Sequence, residues 1–105
     1  MPNKRVTSLE DIRNYPKLNM LCETNDILYL GVFGSFACNE ATPKSDIDFL
    51  VRFSETKSLF ELVRMQREFT RAFGRKVELL TEAAISPYIR DRVKSQVKVV
   101  YEKTQ

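Results

Sequence analysis

Three carboxylates and one glycine–serine pair hold the chemistry that this chain is equipped to do. Asp46 and Asp48 stand two apart at the head of an apolar run, Asp-Ile-Asp-Phe-Leu-Val. In a strand, residues two apart point to one face, so both carboxylates share it while Ile47 faces the core. Two carboxylates side by side repel each other unless a cation sits between them. Gly34-Ser35 closes the preceding apolar run, Ile-Leu-Tyr-Leu-Gly-Val-Phe. Gly34 has no Cβ, so a ligand or a tight turn can come close to its backbone. The amides of a turn that leaves a strand suit an anion, above all a phosphate. Glu78 is a third acid, set between Val77 and Leu79 in a short apolar stretch. A phosphate cradle facing a carboxylate pair is the layout of a magnesium–nucleotide site. Asp-x-Asp alone after Pro-Lys-Ser is more often a polar turn. The order of the three elements is what carries the functional reading.

The elements that must position these groups follow from patterning. Residues 27–33 are almost continuously apolar and predict a central strand buried on both faces. Residues 36–42 predict a short helix or turn, ended by Pro43-Lys44-Ser45, and 48–53 a second strand. Residues 58–73 are the clearest helix: Leu59, Leu62, Met65, Phe69, Ala72 and Phe73 recur at steps of three and four, and Gly74 stops it. Arg64, Arg67, Arg71 and Arg75 form a row opposite, which pairs with Glu61 and Glu68 as a solvated face. Residues 76–80 predict a third strand with Val77 and Leu79 on the core side. Thr7 and Glu10 read as a capping box for a weak first helix that Pro16 interrupts, with a second turn over 16–22. Ser86-Pro87 reads as the start of a last helix to about Lys94, and 97–101 as an edge strand. Both chain ends are expected to fray. The fold class is α+β, a small mixed sheet with helices packed on one face, in a single domain over 1–105.

Composition narrows the function. The chain has 105 residues, 43% hydrophobic and 30% charged, with a net charge of +3. That mild basic excess suits nucleotides or nucleic acid. No apolar run approaches the ~20 residues of a membrane span. No secretory leader is legible, so Cys22 and Cys38 read as reduced cytosolic thiols, Cys38 as a small buried or half-buried residue. Histidine is absent. This excludes an imidazole base, a Ser-His-Asp triad and a histidine zinc site. Catalysis must rest on carboxylates, lysine, tyrosine or an oxygen-bound metal. No Gly-Lys-Ser/Thr follows Gly34, so the turn is no Walker loop. Gly31 reads as a packing glycine and Lys44 as a solvated turn lysine.

The stretch Gly-Ser-Phe-Ala-Cys-Asn-Glu-Ala-Thr-Pro-Lys-Ser-Asp-Ile-Asp-Phe-Leu-Val resembles the signature of the minimal nucleotidyltransferases of the DNA polymerase β-like superfamily. Gly-Arg-Lys-Val-Glu-Leu-Leu resembles the stretch that bears the family's third acid. Cys38 and Asn39 stand where many members have Arg-Gly, and Glu78 where the family has Asp. The resemblance implies two Mg²⁺ ions held by Asp46 and Asp48, with Glu78 on the attacking-side ion, and Gly34 and Ser35 on the phosphates of ATP or another NTP. It also implies an antitoxin that transfers AMP to a tyrosine of a HEPN-type ribonuclease toxin encoded nearby. Two rivals stand beside it. One is the same fold without catalysis, masking its partner by contact alone. The other is a basic RNA-binding domain, for which the arginine row lacks interleaved aromatics to stack bases.

Overall fold

Two apolar runs form the middle of the sheet. The structure, a computed structural model, describes residues 5–103. Strand β1 is Ile27–Phe33 and β2 is Ile47–Phe53. They pair antiparallel, with a register shift between Ile27 and Tyr29. Strand β3, Val77–Leu80, lies parallel to β2, and β4, Lys98–Glu102, lies antiparallel to β1. The strand order is β3-β2-β1-β4, so β1 is central and β4 an edge, as the sequence predicts.

A parallel pair needs a crossover, and helix α3, Leu59–Phe73, supplies it. Its start is fixed by a full capping box: Ser58 Oγ accepts from Glu61 N at 3.2 Å, and Glu61 Oε2 accepts from Ser58 N at 2.9 Å. Its end is fixed by Gly74, whose φ of 71° lies in the left-handed region. Met65, Phe69 and Phe73 are buried against the sheet, with the Phe49 ring 5.8 Å from Phe69 and 5.9 Å from Phe73. Leu59, expected on that face, is instead 77% exposed, with Phe60 beside it at 90%. Glu61 is taken by the cap and Glu68 accepts from Asn25 Nδ2 at 3.0 Å. The expected ion pairs to Arg64 and Arg67 do not form among the described residues.

Helices α1, Leu9–Arg13, and α2, Leu18–Thr24, are separated at Pro16. The cap of α1 lies one residue later than the sequence reading: Ser8 accepts from Asp11 N at 3.2 Å. Thr7 instead donates to Asp11 Oδ2 from its amide, at 2.8 Å, and from its hydroxyl, at 2.9 Å. The expected frayed start falls partly on residues 1–4, outside those described. Val6 is not frayed; it is buried and its amide donates to Phe73 O at 3.0 Å. The frayed tail likewise concerns 104–105, also outside the described residues.

Helix α4 is Arg90–Gln96, with Ile89 as its N-cap. Ser86-Pro87 opens a separate turn, closed by Ile89 N to Ser86 O at 3.1 Å. Ile89, at φ −116° and ψ 0°, breaks the continuity between that turn and the helix.

Residue parity along the strands divides the interior in two. Leu30, Val32, Ile47, Phe49, Val51, Val77 and Leu79 join Ile12, Leu18, Cys22, Met65, Phe69 and Phe73 under α1, α2 and α3. Leu50 joins Ile85 and Val93 of α4 in a small cluster, with Tyr29, Phe33, Leu80 and Val97 packed around it. A Cβ on Gly31 would come within 2.4 Å of Val97 Cγ2, so Gly31 is a packing glycine as predicted. Burial pushes the Cys22 thiol up to about 12, so it is inert at neutral pH. Cys38 is exposed rather than buried, because the turn after Phe36 carries it out of the core. Among the described residues no helix is long and apolar enough to cross a membrane.

Candidate active site

The register of the sheet brings the predicted groups together. Phe33 of β1 lies opposite Asp48 of β2, and Asp48 lies beside Glu78 of β3. The residue after Phe33 is Gly34, so the turn begins where the carboxylates stand. Gly34 has φ +74°, and a Cβ there would sit 2.7 Å from Asp48 Oδ2. Glycine is required on both counts, backbone angle and space.

Gly34–Phe36 forms a single 3₁₀ turn, held by Ala37 N to Gly34 O at 3.1 Å and Glu40 N to Ser35 O at 2.8 Å. Phe36 is 2% exposed and anchors the turn in the main core. The first amides of such a turn have no acceptor within it. The Ser35 side chain is half-buried and makes no hydrogen bond among the described residues.

Asp46 is delivered by a tight loop over 42–45. Ser45 N donates to Thr42 O at 3.0 Å, Thr42 N to Ser45 Oγ at 2.8 Å and Lys44 N to Thr42 Oγ1 at 3.2 Å. Ile47 N then donates to Lys76 O at 3.0 Å, which joins β2 to the residue before β3. Asp46 is exposed and Asp48 half-buried. Burial pushes the Asp48 carboxyl up to about 6, and the nearby charges of Glu78 and Asp46 add to the rise. Lys76 Nζ lies 3.9 Å from Glu78 Oε1, a solvent-exposed pair of little energetic weight.

Carboxylate oxygens are the hard donors that Mg²⁺ takes, and the like charges of Glu78 and Asp46 around Asp48 favour a cation among them. The donor set therefore fits such an ion. Among the described residues, no three acidic, histidine or cysteine side chains are drawn into a ready cluster. Bare like charges have no reason to converge without the cation.

A cleft of about 770 Å³ opens elsewhere, toward the far end of β2, lined by Tyr29, Arg52, Thr81 and Lys94 among others. It contains none of the three acids. Arg52 is four residues along the strand from Asp48, about 13 Å at ~3.3 Å per residue.

The sequence reading misplaced one arginine. Arg75 does not extend the exposed arginine row; it is 6% exposed and hydrogen-bonds the loop that precedes Asp46. The signal was present in Gly74, because a left-handed residue ends the helical period that the row assumes.

Residues 16–105 match the family model described as Polymerase beta, Nucleotidyltransferase. A candidate protein adenylyltransferase of Methanocaldococcus jannaschii is 47% identical over 62 residues, covering 59% of this chain and 67% of its own. The protein adenylyltransferase MntA of Thermococcus cleftensis is 32% identical over 71 residues, covering 68% and 72%. Among solved structures, a toxin–antitoxin complex with AMP-PNP superposes with a TM-score of 0.73 at 22% identity, over 86% of this chain and 74% of that one. A tri-AMPylated HEPN toxin of Shewanella oneidensis in complex with its MNT antitoxin gives 0.65 at 21% identity, over 86% and 71%. The four-stranded sheet with its helices is thus a nucleotidyltransferase fold, and the chain belongs to the polymerase beta nucleotidyltransferase family.

Proposed function

We propose that this nucleotidyltransferase transfers AMP from ATP to a tyrosine hydroxyl of a HEPN-type ribonuclease toxin encoded beside it, and so acts as an antitoxin in the cytoplasm. The observation that carries the reading is the register Phe33–Asp48–Glu78, which sets Gly34, Asp48 and Glu78 at one level of the sheet. Relatives described as protein adenylyltransferases support the choice of reaction, and the HEPN complexes are an analogy of fold.

The backbone amides of Gly34 and Ser35, with the Ser35 hydroxyl, hold the β- and γ-phosphates. Asp46, Asp48 and Glu78 would hold the Mg²⁺ that such a triphosphate brings, two ions on the family's pattern, and their oxygens are the hard donors that it takes. When bound there, Mg²⁺ neutralises the triphosphate and lowers the pKa of the acceptor hydroxyl, which is about 10 for free tyrosine. The chain has no histidine, so these carboxylates and the ion they would hold take the place of an imidazole base. Asp48 stands half-buried on β2, and Asp46, exposed just before that strand, is placed by the hydrogen-bonded 42–45 loop. In-line attack of the tyrosine oxygen on the α-phosphorus then forms the phosphodiester and releases pyrophosphate. The whole reaction is assigned to this one domain.

One observation favours a second reading. Glu78 is one methylene longer than the family's aspartate and lies beside Lys76, so a catalytically weak module that masks its partner by contact is the alternative. Co-expression with the neighbouring gene, followed by mass mapping, separates the two. AMP on a partner tyrosine, lost in the Asp46→Asn/Asp48→Asn double variant, supports transfer. A stable complex with no added mass, equally protective in the double variant, supports masking. Nucleotide added to RNA ends, with the partner untouched, defeats both.

A further inference from the structure

Arg75 is the one charged side chain buried among the described residues, and no carboxylate faces it. Its partners are backbone carbonyls. Nε donates to Val6 O at 2.6 Å, and Nη1 to Thr42 O at 3.0 Å, Pro43 O at 3.2 Å and Ser45 O at 2.9 Å. The guanidinium carbon lies 5.1 Å from the centroid of the Phe36 ring.

These contacts have a pattern. Three of the four carbonyls belong to the loop whose next residue is Asp46. Phe36 closes the Gly34–Phe36 turn. The neighbouring Lys76 carbonyl accepts from Ile47 N, on the other side of Asp46. One guanidinium and the peptide beside it therefore hold the acidic loop at both ends and touch the phosphate-binding turn as well. Burying a cation without a counter-anion is expensive, and a purely packing role at this place is met at lower cost by an apolar side chain. The planar fork of arginine suits several acceptors in fixed directions, whereas lysine offers a point charge.

We propose that Arg75 is a positioning residue for the reaction: it locks the 42–45 loop against the Gly34–Phe36 turn, and so sets the distance between Asp46-x-Asp48 and the amides that take the phosphates. It touches neither nucleotide nor acceptor. The inference rests on the nucleotidyl-transfer reading of the site. It predicts that loss of the fork loosens cation binding and slows transfer by more than the loss of folded protein accounts for.

The test compares the parent with Arg75→Lys, Arg75→Ala and Phe69→Leu. The last disturbs the core at α3 without touching either turn. Binding of Mn²⁺-ATP is measured by calorimetry with electron paramagnetic resonance, thermal midpoints alongside, and transfer is measured against Mg²⁺ concentration. The expected result is a folded Arg75→Lys that binds Mn²⁺-ATP at least fivefold more weakly. Its transfer at saturating Mg²⁺ should be slower by roughly 10- to 10²-fold, the scale of an ångström of misplacement. Guanidinium ion added to Arg75→Ala should restore part of both, and Phe69→Leu should change neither once corrected for folded fraction. Parent-like binding and Mg²⁺ dependence in Arg75→Lys would overturn the proposal. So would an equal shift in Phe69→Leu, or failure of both Arg75 variants to fold while Phe69→Leu folds. If the parent binds Mn²⁺-ATP and Arg75→Lys weakens it, but no transfer is ever seen, then the functional reading fails and the positioning role stands. If the parent transfers AMP and Arg75→Lys binds and transfers as well as the parent, the positioning role fails and the functional reading stands.

Discussion

The two faces of the sheet are made from the same strands and do opposite work. On one face, Ile47, Phe49, Val51, Val77 and Leu79 sink beneath three helices. On the other, the alternate residues of the same two strands are Asp48, Leu50, Arg52, Glu78 and Leu80. There Leu50, Ile85 and Val93 make a small buried cluster. The covered face lets the chain fold with little apolar surface elsewhere. The open face keeps two acids on strand backbone, with only the exposed Lys76 paired to Glu78 among the described residues. Period-two alternation is what lets a 105-residue chain hold both in a four-stranded sheet.

This comparison predicts that the two faces fail in different ways. The largest effect on folding belongs to the covered face. Phe49→Ala removes a ring that meets Phe69 and Phe73, and should cost about 3–5 kcal/mol, read as a lower urea midpoint. Asp48→Asn should leave the fold intact and lower transfer by on the order of 10²–10³-fold in single-turnover assays. A similar loss of stability in both variants would erase the distinction between the faces.

With Glu78 on the acceptor side, as proposed, Glu78→Gln should cost on the order of 10²-fold in transfer while Mg²⁺-ATP still binds. Glu78→Asp restores the family's usual acid and should stay active or improve. Full activity of Glu78→Gln would make this residue a strand-surface partner of Lys76 and nothing more.

The smallest effect is the most diagnostic of the open face. The Asp48 carboxyl sits at about 6 in the folded chain, above its ordinary 3.8. A raised pKa means the folded state holds the proton more tightly. The stability it contributes is present below about pH 4 and is lost as pH rises through about 6. In chelator, Asp48→Asn should therefore gain on the parent between those values, by on the order of 1 kcal/mol, discounted for partial exposure. Urea midpoints at pH 4 and pH 7 give the difference, and Mg²⁺ should reverse it. A gain that is equal at both pH values would mean that Asp48 is not crowded.

The faces also differ in how legible they were in the sequence. Ile27–Phe33 reads as a central strand because its apolar run is unbroken, and α3 reads correctly because Ser58, Glu61 and Gly74 mark its ends. The carboxylates and the glycine turn were legible by type and spacing, but their meeting depends on register, which only the sheet fixes. Short caps were ambiguous: Thr7 and Ser8 are both good capping residues, and Ser86-Pro87 opens a turn that the chain does not continue into α4. Arg75 was misassigned for a physical reason. Four arginines at near-helical spacing look like one face, yet the left-handed Gly74 turns the last of them inward to backbone carbonyls that no sequence pattern announces.

On the proposed reading, the open face holds a nucleotide through cations on the Asp46-x-Asp48 pair. The most direct measurement is calorimetry of ATP with the parent and with Asp46→Asn/Asp48→Asn, each with and without Mg²⁺. The account predicts measurable binding only for the parent with Mg²⁺, and at least a tenfold loss in the double variant, about 1.4 kcal/mol or more. Equal affinity for Mg²⁺-ATP in the two proteins would contradict it and move the nucleotide site away from these carboxylates.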